Sequence, residues 1–424
     1  MNIYLDMIGC RLNQAEIETY ACQLRAAGHQ IVASPEKAEL VVVNTCTVTT
    51  EAASDSRQKI RQAARAGAAV VVTGCWSSLD PELAQAMPGV KTVIPNREKD
   101  ALVELLLGDH LVKQPDAMRQ PVAGSRRRTR AFIKAQDGCD NHCTYCITRL
   151  ARGKGHSRPA SEVVEAIRFA AAGGVKEAVF TGVQIGSWGT DLQPTTRLSE
   201  LIHIVLNETD IPRLRLSSIE PWEVDEDLLA LWKNPRLCRH FHLPLQSGSP
   251  TMLKRMARKI TPQEYLALVS KIRTAIPQVS ITTDVIVGFP GETEAEFEET
   301  RDFIRRIGFS GGHVFVYSAR PGTPAAGFPD QVAFSTRRQR SKQLHDLFSI
   351  QSYSFQQTFI NEKLDVLWER SARCADGWLS SGLSDNYVKV SAITKKECAN
   401  SIDQVVIREV KGGCLTGEVV EHGK

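Results

Sequence analysis

Short runs of β-branched residues alternate with helical stretches along most of this chain, and no other feature constrains its fold as strongly. In the first hundred residues Ile3–Met7, Leu40–Val43, Ala69–Thr73 and Lys91–Ile94 read as strands. Gln14–Ala27, Glu51–Ala66, a short piece near Pro81–Ala86 and Asp100–Leu107 read as helices. Apolar strands spaced by helices predict a parallel sheet covered on both faces. The alternation resumes at Ala131–Ala135, Glu177–Thr181, Arg213–Ser217, His240–Leu245, Ser280–Val287 and Gly312–Val316, with helical segments between them. Six such units predict a partial (β/α)6 barrel whose chemistry lies at the C-terminal edge of its strands.

Beyond Phe359 the grammar changes. Leu364–Trp368, Trp378–Ser381, Tyr387–Val390, Val405–Val410 and Cys414–Val420 are short strands separated by Gly, Asn and Asp turns, which predicts a small closed β-barrel. The expected fold is therefore α/β with three parts. These are an N-terminal parallel sheet domain over 1–110, a barrel over 129–356 and a β-barrel over 358–424, with a polar linker over 111–128 between the first two. A chain of 424 residues suits about three domains.

The formal charge of +4 decides little, but its distribution is uneven. Between Arg119 and Arg158 ten basic residues face only Asp137 and Asp140, which reads either as a phosphate-binding patch or as a solvated surface. No charged-then-apolar leader opens the chain, and no apolar run reaches the roughly 18 residues that cross a bilayer. No membrane partner is expected. Eleven cysteines, odd in number and irregular in spacing, argue against a secreted disulfide framework and for a reducing cytoplasm.

Cys139, Cys143 and Cys146 form a C-x3-C-x2-C triplet in one loop just after a strand. Three close thiolates suit an iron–sulfur cube with one iron left open; a structural zinc normally takes four ligands, with His142 the alternative fourth. An open iron can hold S-adenosylmethionine, whose reductive cleavage gives a carbon radical. Three more cysteines share a second grammar. Cys10, Cys46 and Cys75 each follow the end of a strand, about thirty residues apart, one β/α unit each. Strand ends of one parallel sheet lie about 4.8 Å apart, so the three thiols can converge on a second cluster. Coincidental buried cysteines are the alternative.

The triplet, with Tyr145 before its last cysteine, resembles the radical S-adenosylmethionine superfamily. That resemblance implies that Tyr145 flanks the adenine. It also implies that Thr181, Gly182, Ser218, Glu220, Gln246 and Ile286, at strand ends, line the S-adenosylmethionine site.

The two three-cysteine sets together resemble the methylthiotransferases over essentially the whole chain. The motifs that carry this include Gly9-Cys10-Arg11-Leu12-Asn13-Gln14, Asn44-Thr45-Cys46-Thr47, Thr73-Gly74-Cys75, Gln136-Asp137-Gly138-Cys139, Pro244-Leu245-Gln246-Ser247-Gly248, Gly288-Phe289-Pro290-Gly291-Glu292 and Tyr317-Ser318-Ala319-Arg320-Pro321-Gly322-Thr323. The C-terminal piece resembles a TRAM domain. Asn44–Thr49, Thr181–Gly186 and Leu216–Pro221 most resemble the MtaB-type branch, which acts on N6-threonylcarbamoyladenosine at tRNA position 37. Trp76, Thr148–Arg149 and Val316 depart from the usual pattern, and none is a ligand cysteine.

The resemblance implies two 4Fe–4S clusters, one on Cys10, Cys46 and Cys75 and one on Cys139, Cys143 and Cys146. It implies S-adenosylmethionine as both radical source and methyl donor, and insertion of a methylthio group at carbon 2 of the modified adenine. Expected partners are tRNA, an electron donor such as flavodoxin or ferredoxin, and a sulfur source, with no DNA. Arg126, Arg127, Arg128, Arg337, Arg338, Tyr387 and Lys389 are the expected RNA contacts, and tRNA binding is expected to weaken with salt. The alternatives are the branches acting on N6-isopentenyladenosine or on a ribosomal-protein aspartate, a radical enzyme with a small-molecule substrate, and a non-catalytic iron–sulfur RNA-binding protein.

Overall fold

The structure, a computed structural model, describes residues 1–108 and 129–420. The expected linker 111–128, with Arg126, Arg127 and Arg128, lies outside the described residues.

The N-terminal unit is β1 (Asn2–Met7), α1 (Arg11–Ala26), β2 (Gln30–Ile31), β3 (Leu40–Thr45), α2 (Thr50–Arg65), β4 (Ala69–Gly74), α3 (Cys75–Leu79), α4 (Pro81–Gln85), β5 (Val90–Val93) and α5 (Leu102–Leu107). Its strands lie parallel in the order β2-β1-β3-β4-β5. Valines sit on both faces because both are covered. Val42 and Val71 pack with α1 and α5, while Val41, Val43, Val70 and Val72 pack with α2. All three expected strand ends therefore meet at one edge.

The central unit holds β6 (Arg130–Lys134), β7 (Gln136–Asp137), α6 (Thr148–Arg152), β8 (His156–Ser157), α7 (Ala160–Ala172), β9 (Glu177–Thr181), α8 (Leu198–Glu208), β10 (Arg213–Leu216), α9 (Glu226–Ala230), β11 (His240–His242), α10 (Pro250–Arg255), α11 (Pro262–Ala275), β12 (Ser280–Val287), α12 (Glu294–Ile307), β13 (Gly311–Val316) and α13 (Phe334–Gln357). Two parallel three-stranded sheets, β10-β9-β6 and β11-β12-β13, join through single bridges at Leu214–Leu237 and Ser218–His242. The result is the expected open six-stranded barrel. Its apolar core lies outside the strands, under the helices, with Ile281, Val285, Val287, Phe241 and Leu243 pointing that way. The alternate residues line the lumen, which is polar: Glu177, Arg215, His240, His242 and Asp284.

The C-terminal unit is a closed barrel of β14 (Lys363–Cys374), β15 (Gly377–Ser384), β16 (Lys389–Thr394), β17 (Ile402–Lys411) and β18 (Cys414–Val419), ordered β14-β15-β16-β18-β17. Trp368 fills its core and donates Nε1–H to Asp403 at 2.9 Å.

The turn between β15 and β16 plugs the lower, N-terminal end of the central barrel. Arg239 pairs with Asp385 at 2.6 Å, and the Tyr387 ring stacks on His240 with 4.6 Å between centroids. Three guanidiniums, of Arg215, Arg11 and Arg130, lie over the same ring at 4.9, 5.5 and 5.9 Å, and Arg11 donates to its hydroxyl at 2.7 Å. This corrects the expectation that Tyr387 stacks on RNA bases, because its faces are already taken by protein. Tyr387→Ala is expected to cost roughly 3 kcal/mol of stability, read as a lower denaturant midpoint, with tRNA affinity unchanged.

Candidate functional site

Cys10 stands just before α1, Cys46 just after β3 and Cys75 at the first position of α3. Glycine lets these turns meet. Gly74 has φ +99°, and a Cβ there would lie 2.3 Å from the Thr45 carbonyl oxygen. At Gly9, φ +109°, a Cβ would lie 2.7 Å from the Cys46 Sγ. Gly74→Ala is therefore expected to push the Cys46 and Cys75 turns apart, lowering bound iron in the purified protein while the C-terminal barrel stays folded. Asn13 ties the set together: its Nδ2 donates to the Ile8 carbonyl at 2.8 Å and the Thr45 carbonyl at 3.1 Å. Cys46 is buried, and burial pushes its thiol up to about 11.

The second triplet lies directly beyond β7. Cys139 N–H donates to the Gly153 carbonyl and Cys146 N–H to the Cys143 carbonyl, both at 3.1 Å, which folds the loop back on itself. Gln184 Oε1 accepts from the Cys139 thiol at 3.1 Å and from Asp140 N–H at 3.3 Å, and Gln184 Nε2 donates to Glu223 at 2.6 Å. Gln136 holds that glutamine by accepting its backbone N–H at 2.9 Å. On the other side Arg258 pairs with Glu220 at 2.6 Å and reaches the Cys143 Sγ at 3.7 Å. Burial pushes the Cys139 thiol up to about 12 and the Glu223 carboxyl to about 7.

A buried ion network joins the two cysteine sets. Arg152 Nε donates to the Cys75 Sγ at 3.2 Å, its Nη1 to Asp137 at 2.9 Å and Glu16 at 3.2 Å, and its Nη2 to Asn13 at 2.6 Å. Lys99 lies 2.6 Å from Glu16 and 2.5 Å from Asp137, and Lys134 lies 3.0 Å from Asp137 and 2.8 Å from Asp100. Three cations thus meet three carboxylates. Burial alone would raise Glu16, but Arg152, Lys99 and Lys134 outweigh it and hold the carboxyl at about 2. Arg152 and Lys134 belong to the basic stretch that read either as a phosphate-binding patch or as a solvated surface; both are buried instead.

A cleft of about 800 Å³ opens between the loop beyond Cys46 and the loop that carries Cys146. One wall is Val48–Glu51, just past Cys46; another is Tyr145–Thr148, including Cys146; the floor is strand ends with Gln246, Asp284, Ile286 and Phe315. Across it Thr50 Oγ1 and Ser318 Oγ lie 2.9 Å apart, and Arg320 donates to Thr50 at 3.3 Å.

Of the residues expected at the S-adenosylmethionine site, Tyr145, Gln246 and Ile286 line this cleft. Glu220 is held by Arg258. Gly182 packs on Gln136, Ser218 bridges to His242, and Thr181 turns its hydroxyl to the Val179 carbonyl of its own strand. Lys389 and Arg338 are exposed, as an RNA contact requires. Arg337 is not free for RNA: its stem packs over Gly288 and it donates to the Tyr317 carbonyl at 2.7 Å. Arg258 was not singled out in the sequence, and Gln136, Gln184 and Arg152 were read only as parts of motifs or of the basic stretch, without these contacts.

Residues 133–304 match the Radical SAM superfamily and residues 2–95 match Uncharacterized protein family UPF0004. The threonylcarbamoyladenosine tRNA methylthiotransferase MtaB of Bacillus subtilis is 36% identical over 404 residues, covering 90% of this chain and 88% of that one. The chain belongs to the tRNA methylthiotransferase family. The Thermotoga maritima protein of the same name is also 36% identical, with 91% and 90% coverage. The tRNA-2-methylthio-N(6)-dimethylallyladenosine synthase of Maricaulis maris, another member of this family, is 31% identical with 98% and 97% coverage. The solved radical S-adenosylmethionine methyltransferase TsrM from Kitasatospora setae shares the fold at TM-score 0.57 and 16% identity, over 77% of this chain and 75% of its own. No helix among the described residues is long and apolar enough to cross a membrane.

Proposed function

We propose that this methylthiotransferase places a methylthio group at carbon 2 of N6-threonylcarbamoyladenosine at tRNA position 37. The observation that carries this reading is one cleft walled by the Cys146 loop of the central unit and the loop beyond Cys46 of the N-terminal unit. The relatives named for that substrate, at 36% identity, give the substrate. All eleven cysteines are free, and among the described residues neither triplet has a buried histidine to close a zinc site; His142 is exposed. The donor sets fit two 4Fe–4S clusters, with Cys10, Cys46 and Cys75 holding one and Cys139, Cys143 and Cys146 the other. When bound, these clusters and S-adenosylmethionine supply a 5′-deoxyadenosyl radical and a sulfur for methylation.

The protein's own residues do the rest. Gln184 and the Arg258–Glu220 pair fix the Cys139–Cys146 loop from both sides. Arg152 donates to the Cys75 sulfur and so fixes where that sulfur points. Tyr145, Ile286 and Phe315 give the cleft apolar walls that shield a radical from water. Tyr145, Thr181, Gly182, Ser218, Glu220, Gln246 and Ile286 remain the proposed surroundings of S-adenosylmethionine. An electron donor such as flavodoxin or ferredoxin and a separate sulfur source complete the reaction in a reducing cytoplasm.

Mass spectrometry of tRNA nucleosides from cells lacking the protein tests the reading. Loss of 2-methylthio-N6-threonylcarbamoyladenosine is expected; loss of the dimethylallyl analogue instead would move the protein to the other tRNA branch. Binding of purified tRNA is expected to fall steeply with salt, and Lys389→Ala with Arg338→Ala to flatten that slope by about two phosphate contacts.

A further inference from the structure

At the floor of the cleft, where Asp284 lines it, and just beneath, three side chains converge that the reaction as described does not use. Asp284 of β12 pairs in register with His313 of β13, and Ile286 with Phe315 one layer above. Asp284 Oδ1 lies 3.0 Å from His313 Nδ1 and 3.2 Å from His242 Nε2. The other nitrogen of His242 is already held, 2.9 Å from the Thr282 hydroxyl, which also meets His240 at 3.0 Å. His313 differs. Its side chain is 71% exposed, and Nε2 has no partner among the described residues. Hydrogen bonding to Asp284 raises His313 above the ordinary imidazole range, against the opposing effects of burial and of the Arg11 charge. Asp284 itself stays ionised, since its two histidines outweigh burial.

Phe315 is 38% exposed on the same face of β13. The wall thus offers a flat ring for a base and, beneath it, an imidazole edge with an unpartnered Nε2 for whatever the base carries. We propose that His313, oriented by Asp284 and His242, binds the terminal carboxylate of the substituent on N6 of the substrate adenine. This rests on the proposed threonylcarbamoyl substrate. That group ends in a carboxylate, whereas a dimethylallyl group is a hydrocarbon with nothing to offer a ring N–H. His313 is on this argument a specificity residue, and it distinguishes the two tRNA substrates by charge.

The test uses the reconstituted holoenzyme, wild type and two variants, with tRNA carrying N6-threonylcarbamoyladenosine at position 37. His313→Leu is expected to raise KM for that tRNA about 10- to 100-fold with kcat little changed, the effect of losing one charged hydrogen bond. His313→Gln, which keeps an N–H donor, is expected to recover part of the loss. Equal KM values for wild type and His313→Leu would overturn the inference. So would a metal ion bound in stoichiometric amount beyond the cluster iron and lost in His313→Leu, since the triad would then be a metal site. If the wild type turns over only tRNA carrying the dimethylallyl group, the substrate reading itself fails, and that outcome is separate from either result with the variant.

Discussion

Arg152→Met is expected to destabilise the protein by about 3–5 kcal/mol, because it leaves Glu16 and Asp137 buried with one cation fewer. Chemical denaturation of the purified protein measures it, and bound iron falls in parallel because Cys75 loses its cationic neighbour. The network also predicts a pH dependence. Glu16 is held near pH 2 in the fold against an ordinary value of 4.5, and Asp137 is held low by the same cations. Folded-state values below unfolded ones mean that this stabilisation is complete above about pH 4.5 and is lost as the pH falls from there toward about 2. Acid unfolding of wild type should therefore be steep in that window, and Arg152→Met should weaken the dependence. A variant as stable as wild type at pH 7 would show that the network does not hold the units together.

The two cysteine sets should fail in different ways. Cys143→Ala is expected to lose about four irons per chain and to form neither 5′-deoxyadenosine nor methylthiolated tRNA. Cys46→Ala is expected to lose the same amount of iron and all methylthiolated product, yet still to cleave S-adenosylmethionine to 5′-deoxyadenosine. Iron analysis and chromatography of the small-molecule products check both. If Cys46→Ala still made methylthiolated tRNA, the N-terminal thiols would have no part in sulfur transfer.

The strands were legible in the sequence because β-branched runs such as Val41–Val43 and Val70–Val72 are buried on both faces, which leaves a composition signal that helices lack. The cysteine sets were legible because their spacing is itself the geometry. Other features left no such trace. α13 runs for 24 residues, but only Leu344 and Phe348 give it a buried apolar face, with Arg340 buried against Glu292, so its sequence reads as polar surface. Arg152 sits in a stretch crowded with basic residues, while one of its partners, Glu16, is 136 positions away. Local charge counting reports the first fact and misses the second. Tyr387 was misread for a related reason: an aromatic in a small barrel looks like a stacking platform for bases, and the histidine it stacks on belongs to another unit.

With Tyr387 seated in its lower end, the central barrel is blocked there, and the cleft lies at the opposite end of its strands. A molecule the size of tRNA resting on the cleft would therefore cover any small molecule already seated at its floor.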